Sequence, residues 1–361
     1  MLVQPATEKI PVSPTVAVLG TAVSPAKHQT AIDHSELTLC SPRPRGTSSI
    51  FGSIQPAPGE SPQAWSTRIV GRYLASSTAP ASDTLTLHLP LSNWAYYSEL
   101  QTELAKHFPN ESDRPQILLT LRNSHSQPEK SMGILGGLGP LADASLIKQI
   151  EAEFNFGKAP THSVEIKLDS NPHPPRNFLA ALHLWALDYL HDIWNFVSQP
   201  GVDEFVLASN TAHIRLGLFN LFSRNRMFDG VSYVSNQLRQ SSPAPARILV
   251  LGTTSAYEHE LYPKALRNLG MNVATPTENE QPRVQEAIDL IKSGQIEVGQ
   301  QKLSTVIREL ANPPVSHVLL ACTELPLALN TSTVHQALGY EAQVVDTSAI
   351  FAKYIAERLR L

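Results

Sequence analysis

Two stretches of this chain end an apolar run in a small residue and then turn abruptly polar. Val318-Leu319-Leu320-Ala321 leads into Cys322-Thr323-Glu324-Leu325-Pro326, and Phe205-Val206-Leu207-Ala208 leads into Ser209-Asn210-Thr211-Ala212-His213. A short apolar run bounded by turn residues reads as a buried strand giving way to a helix. The repetition predicts two similar half-sites facing one cleft. One half carries a thiol and the other an alcohol.

The same plan recurs around them. Met132 to Leu135 enters the glycine-rich turn Gly136-Gly137-Leu138-Gly139-Pro140, and Leu141 to Phe154 has helical spacing. Val164 to Leu168 is a strand closing on Asp169-Ser170-Asn171-Pro172, and Phe178 to Val197 is a long helix. Ile248 to Leu251 restarts the pattern, running into Gly252-Thr253-Thr254. Helices follow over Tyr257 to Leu269, Val284 to Ile291 and Val298 to Leu310. Val344-Val345-Asp346-Thr347 and a helix from Ala349 to Leu359 close the chain. Alternation of this kind predicts an α/β fold of two pseudo-symmetric, doubly wound lobes with parallel sheets. Lobe 1 is expected over 131–240 and 341–361, and lobe 2 over 241–340. The active site is expected in the cleft between them, because open parallel sheets bind ligands beyond the carboxyl ends of their strands.

The chain ahead of residue 131 has a different character. Residues 1–65 are rich in Pro, Ser and Thr and read as a disordered leader, with a short strand conceivable at Thr15 to Leu19. A recognition signal, for instance for export, is the alternative. Residues 66–130 read as a small accessory β-α-β region: a strand at Thr84 to Leu89, a helix from the Asn93 cap through Lys106, and a strand at Gln116 to Leu121.

Charge and cysteine content narrow the function classes. A formal net charge of -4 gives no electrostatic case for nucleic acid or an anionic membrane. No apolar run is long enough to span a bilayer, and the start lacks a signal-peptide pattern. The two cysteines, Cys40 and Cys322, imply no disulfide framework, so the expected setting is cytoplasmic. His183 and His191 are poorly spaced as metal ligands, and no metal site is expected.

The chemistry is expected at the strand ends. At Cys322 the backbone amides and the positive end of the following helix would favour a thiolate. An ordinary thiol titrates at about 8.5, so a modest downward shift makes a base near neutrality. The alternative is a buried cysteine acting as a small inert hydrophobe. Thr323 and Glu324 argue for a polar site. Asn210, Thr211 and Thr323, with nearby amides, could take an α-carboxylate. Gly137-Leu138-Gly139-Pro140-Leu141-Ala142 also fits the dinucleotide pattern G-x-G-x-x-A, although Asp169 comes later than the acidic partner should.

The three motifs at Gly133 to Pro140, Ser209 to His213 and Ala321 to Leu327 resemble the cofactor-independent aspartate/glutamate racemase family, over about Met132 to the C-terminus. The resemblance implies a homodimer of two-lobed subunits, an amino-acid or dicarboxylate substrate, no cofactor, and two cysteines that act on opposite faces of the α-carbon. It implies a catalytic role for Cys322, with Ser209 standing where the family has its other cysteine. It further implies substrate contacts from Asn171 and Arg176, in a loop one residue shorter than the family pattern, from Thr254, and from Gly137, Asn210, Thr211, Thr323 and Glu324. An unassisted hydroxyl is a poor proton shuttle, so Ser209 would need His213 or a water to exchange its proton. The alternative for His213 is a helix-terminal histidine bonded to backbone. The function expected is racemisation or epimerisation of aspartate or glutamate with Cys322 as main acid/base. The alternatives are one-base lyase or isomerase chemistry on a dicarboxylate, or a catalytically weak binding or interaction protein on the same fold.

Overall fold

In the computed structural model, residues 37–40, 56–57, 59–76, 84–109, 113–124, 126–136, 140–156, 160–170, 193–224, 226–242 and 246–361 are described. All of them lie within one unit, His34–Leu361. Sheet 1 is built from β1 (Leu37–Cys40), β2 (Thr84–Pro90), β3 (Gln116–Arg122), β4 (Lys130–Leu135), β5 (Val164–Ser170) and β6 (Glu204–Leu207). The helices α1 (Pro62–Ser76), α2 (Trp94–His107), α3 (Pro140–Phe156), α4 (Leu216–Ser223) and α5 (Gly230–Ser241) belong with it. Sheet 2 comprises β7 (Arg247–Leu251), β8 (Asn272–Ala274), β9 (His317–Leu320) and β10 (Gln343–Asp346). Its helices are α6 (Thr254–Glu258), α7 (Leu261–Asn268), α8 (Gln281–Lys292), α9 (Ile296–Leu310), α10 (Leu325–Ala328) and α11 (Thr331–Leu338). The last helix, α12 (Thr347–Arg360), ends the chain.

Sheet 2 has the order β10-β9-β7-β8 and is parallel throughout. Its central strands, β7 and β9, are apolar and buried almost along their whole length, as a strand covered on both faces requires. From β7 the chain passes to β8 on one side, then crosses to β9 on the other. The order therefore reverses between β7 and β9, which is the place where such sheets bind ligands. In sheet 1, β4 is followed by β5 on one side and by β6 on the other, so the parallel part repeats the same reversal between β4 and β6.

Three boundaries differ from the sequence reading. The β-α-β segment is no separate accessory: β2 and β3 continue sheet 1, with β3 antiparallel to β5. Lobe 1 thus carries a mixed sheet whose order is β1-β2-β3-β5-β4-β6. The leader contributes β1, which pairs antiparallel with β2, and Cys40 ends that strand. β10 remains in sheet 2, because its apolar residues pair with β9, and only α12 crosses back to lobe 1, where Phe351, Ala352, Ile355, Ala356 and Leu359 are buried. The helix expected from Tyr257 to Leu269 is broken at Glu260, whose φ of 48° is left-handed. Thr15 to Leu19 and residues 178–192 of the expected long helix lie outside the described residues. Among the described residues, no helix is long and apolar enough to cross a membrane, and no cluster of three or more His, Cys, Asp or Glu could hold a metal.

Gly133 sets how closely β4 and β6 approach. A Cβ there would overlap the Phe205 ring. That ring is fully buried between Phe196, at 5.7 Å, and the Arg226 guanidinium, at 4.9 Å, and has nowhere to move. Gly133→Ala is expected to destabilise the fold by about 1–3 kcal/mol, the usual cost of overpacking. Urea unfolding checks this, and an unchanged midpoint would contradict it.

Candidate active site

The ladder extends one residue beyond both switch points. Ala208 N donates to Leu135 O at 2.9 Å, and Ala321 N donates to Leu251 O at 2.8 Å. Ser209 and Cys322 are therefore equivalent positions, each the first residue past the last ladder bond of its lobe. The equivalence follows from the matched pattern of four buried residues and a polar turn.

A chain of hydrogen bonds joins the two strand ends. Asn210 is 1% exposed, and both ends of its amide are occupied. Its Oδ1 accepts from the Tyr262 hydroxyl at 2.5 Å, and its Nδ2 donates to Thr347 Oγ1 at 2.8 Å. Thr347 in turn donates to Leu320 O at 2.9 Å, two residues before Cys322. Beside it, the hydroxyls of Thr211 and Thr253 lie 2.9 Å apart. Thr253 also caps α6 by accepting from Ala256 N at 3.2 Å. Asn210 is thus placed as a tie between lobes, bonded at both ends of its amide.

Cys322 is 3% exposed, and its thiol donates to Glu324 Oε2 at 3.0 Å. The Thr323 hydroxyl donates to the same oxygen at 3.1 Å. Glu324 is 4% exposed; its Oε1 accepts no hydrogen bond but lies 3.9 Å from Lys292 Nζ at the end of α8. Burial pushes the Cys322 thiol well above its ordinary value, and the negative Glu324 adds to this while Lys292 opposes it. The sequence reading expected the opposite direction from the helix end. The helix α10 has only four residues, and burial, together with a carboxylate in direct contact with the sulfur, outweighs its field. The resting group is a thiol that donates a hydrogen bond to a carboxylate.

His213 does not serve Ser209. It lies in a 3-10 turn, Thr211–Arg215, where Nδ1 donates to the Ser209 carbonyl at 3.1 Å and Nε2 accepts from Gly230 N at 3.2 Å. Both ring nitrogens are bound to backbone, and burial pushes its pKa down, so the ring is neutral. The backbone-bonded alternative describes it. Thr254 opens α6, and its N–H donates to Gln285 Oε1 at 2.8 Å. Thr254 also lines an open cavity of about 500 Å³ with Gln285, Asp289 and Ser293, a cavity that neither Cys322 nor Ser209 lines. Gly137, Asn171 and Arg176 lie outside the described residues. Sequence reasoning missed Tyr262, which has no local signal, and Thr347, which repeats the strand-then-polar pattern used for Cys322.

Two α/β lobes, one with a parallel sheet and one with a mixed sheet, carry a thiol and a hydroxyl in equivalent places at their switch points. The chain belongs to the Asp/Glu/Hydantoin racemase family, whose model matches residues 135–355. Among solved structures it is similar to the Picrophilus torridus aspartate racemase, with 24% identity, a TM-score of 0.50, and coverage of 64% of this chain and 99% of that one. An aspartate racemase homologue from Pyrococcus horikoshii gives 19% identity and a TM-score of 0.52, over 64% of this chain and 100% of that one. At these identities the likeness shows the fold. A curated relative, an uncharacterized protein in the pnlA 3' region of Pectobacterium carotovorum, is 35% identical over 83 residues, which is 23% of this chain and 55% of that protein.

Two outcomes are expected. Tyr262→Phe, which leaves Asn210 Oδ1 without its donor, should cost about 1–2 kcal/mol in chemical unfolding. A neutral effect would show that the tie contributes nothing. The thiol contributes stability that is fully present below the ordinary thiol value and is lost as pH rises through its raised folded value. Stability should therefore fall on the alkaline side, and Cys322→Ala should flatten that fall. An identical alkaline slope in the variant would contradict the raised value.

Proposed function

We propose that this protein is a cofactor-independent racemase or epimerase of an acidic amino acid, aspartate or glutamate, with Cys322 as its main acid/base. The observation that carries this reading is the hydrogen bond from the Cys322 thiol to the buried Glu324 carboxylate at a switch point. The proton balance is simple. Cys322 gives its proton to Glu324 and becomes a thiolate. The thiolate takes the α-proton as the Cα–H bond breaks, and the electron pair stays on carbon. Return of that proton from Cys322 restores the starting enantiomer; a proton from Ser209, replaced from water, inverts it on the opposite face, and the one held on Cys322 passes to water as Glu324 returns its own to the sulfur. Thr323 holds the same carboxylate oxygen and keeps it aimed at the sulfur.

One-sided chemistry is the second reading, and His213 favours it. Its nitrogens are committed to backbone, so Ser209 must exchange its proton through water. Inversion should then be slower than exchange on the Cys322 face.

Three variants test the proposal by chiral chromatography of aspartate and glutamate. Cys322→Ala should abolish turnover in a folded protein. Glu324→Gln, which cannot take up the thiol proton, should lower kcat by roughly a hundredfold. Ser209→Cys should raise racemisation by about tenfold, or about 1.4 kcal/mol off the barrier. Retention of most activity in Cys322→Ala, or a loss of racemisation in Ser209→Cys, would sink the assignment.

A further inference from the structure

Ser209 is fixed from both sides and through its own carbonyl. Ahead of it, Ala208 N donates to Leu135 O at 2.9 Å. After it, the Asn210 amide is held by Tyr262 and Thr347. Four residues on, the buried ring of His213 comes back to the strand end, with Nδ1 3.1 Å from the Ser209 carbonyl.

The other ring nitrogen reaches a different element. Nε2 lies 3.2 Å from Gly230 N, the first amide of α5. A Cβ at Gly230 would overlap both His213 Nε2 and the Phe351 ring, so glycine is what lets the ring sit there. Phe351 belongs to α12 and is fully buried, and its ring centroid is 5.8 Å from that of His213. The same helix opens with Thr347, whose hydroxyl bonds the end of β9. The ring thus joins the strand end of lobe 1 to α5 and to the helix that crosses back from lobe 2.

The partners fix the form of the ring. A carbonyl can only accept, so Nδ1 carries the proton; an amide N–H can only donate, so Nε2 keeps its lone pair. The other tautomer, or a second proton, would leave a buried backbone group unpaired. A peptide unit is planar and moves as one piece, so holding the Ser209 carbonyl also sets the direction of the Asn210 N–H.

We propose that His213 is the positioning residue of the Ser209 face: its Nδ1–H holds the Ser209 peptide in place, while Gly230 and Phe351 hold the ring. It moves no proton in the reaction. This rests on the racemase reading, in which Ser209 supplies the proton that inverts the α-carbon. Loss of the Nδ1 bond therefore slows inversion much more than exchange on the Cys322 face.

The test uses the full chain with His213→Asn, His213→Gln and His213→Phe. Asparagine can keep the bond to the Ser209 carbonyl and gives up Gly230 N. Glutamine reaches Gly230 N and gives up Ser209, and phenylalanine gives up both. Deuterium exchange at the α-carbon of aspartate and glutamate, inversion on the same samples, and melting temperature are measured on each. The Ser209 carbonyl resonance, assigned by isotope pair labelling of serine and asparagine, reports the bond without any turnover. Melting temperature should fall to a similar extent in His213→Asn and His213→Gln, since each loses one buried hydrogen bond. The ratio of inversion to exchange should fall at least about fivefold in His213→Gln and His213→Phe, the scale of one lost hydrogen bond, and less than about twofold in His213→Asn. The carbonyl resonance should move in the first two and stay near its wild-type position in the third. A ratio that is equal in all three variants, or that follows melting temperature, would overturn the proposal, as would an unmoved carbonyl resonance in His213→Gln. Exchange without inversion in the wild type would overturn it too, since Ser209 would then deliver no proton. If the wild type acts on neither amino acid, the racemase reading fails, and the carbonyl resonance still decides whether His213 holds Ser209.

Discussion

A single buried amide holds the two halves of this site in register. Asn210 takes a hydroxyl from Tyr262 of lobe 2 and gives its N–H to Thr347, which is bonded to the end of β9. The neighbours of Asn210 and of Leu320 are the residues proposed to carry the chemistry. Ser209 precedes the amide, and Cys322 follows Leu320 by two residues. Breaking the tie would leave both lobes folded, since each has its own sheet, but would free one strand end to shift against the other. A buried amide bonded at both its oxygen and its nitrogen suits this task, because displacement leaves an unpaired polar group.

Equivalent placement does not give equivalent chemistry. Cys322 has an acidic side chain in contact with its sulfur and an ammonium group beyond that. Ser209 has a neutral histidine bound to its carbonyl, with no ring nitrogen left for its hydroxyl. The asymmetry lies in the side chains that flank two strand ends placed alike in their ladders. On the proposed reading the site is therefore strong on one face and weak on the other.

Most of the strands were legible because a four-residue apolar run that ends in a polar turn fits a buried strand and little else, while the order of sheet 1 was not. Cys322 and Ser209 were legible for the same reason. The direction of the Cys322 shift was not. A helix end is visible in sequence, but whether Glu324 folds back onto the sulfur depends on rotamers and burial. The role of Asn210 was hidden too, because its partners Tyr262 and Thr347 lie far along the chain. The part played by residues 66–130 needed the antiparallel pairing of β3 with β5, a register that local pattern does not encode.

The most direct measurement follows deuterium at the α-carbon of L- and D-aspartate and L- and D-glutamate in heavy water with the wild-type protein. NMR reports exchange, and chiral separation reports inversion on the same samples. A thiol-carboxylate pair on one face and a serine on the other should give exchange that outruns inversion, for the enantiomer whose α-proton faces Cys322. Absence of exchange in all four amino acids, in a protein shown to be folded, would contradict proton transfer by Cys322 as the work of this site.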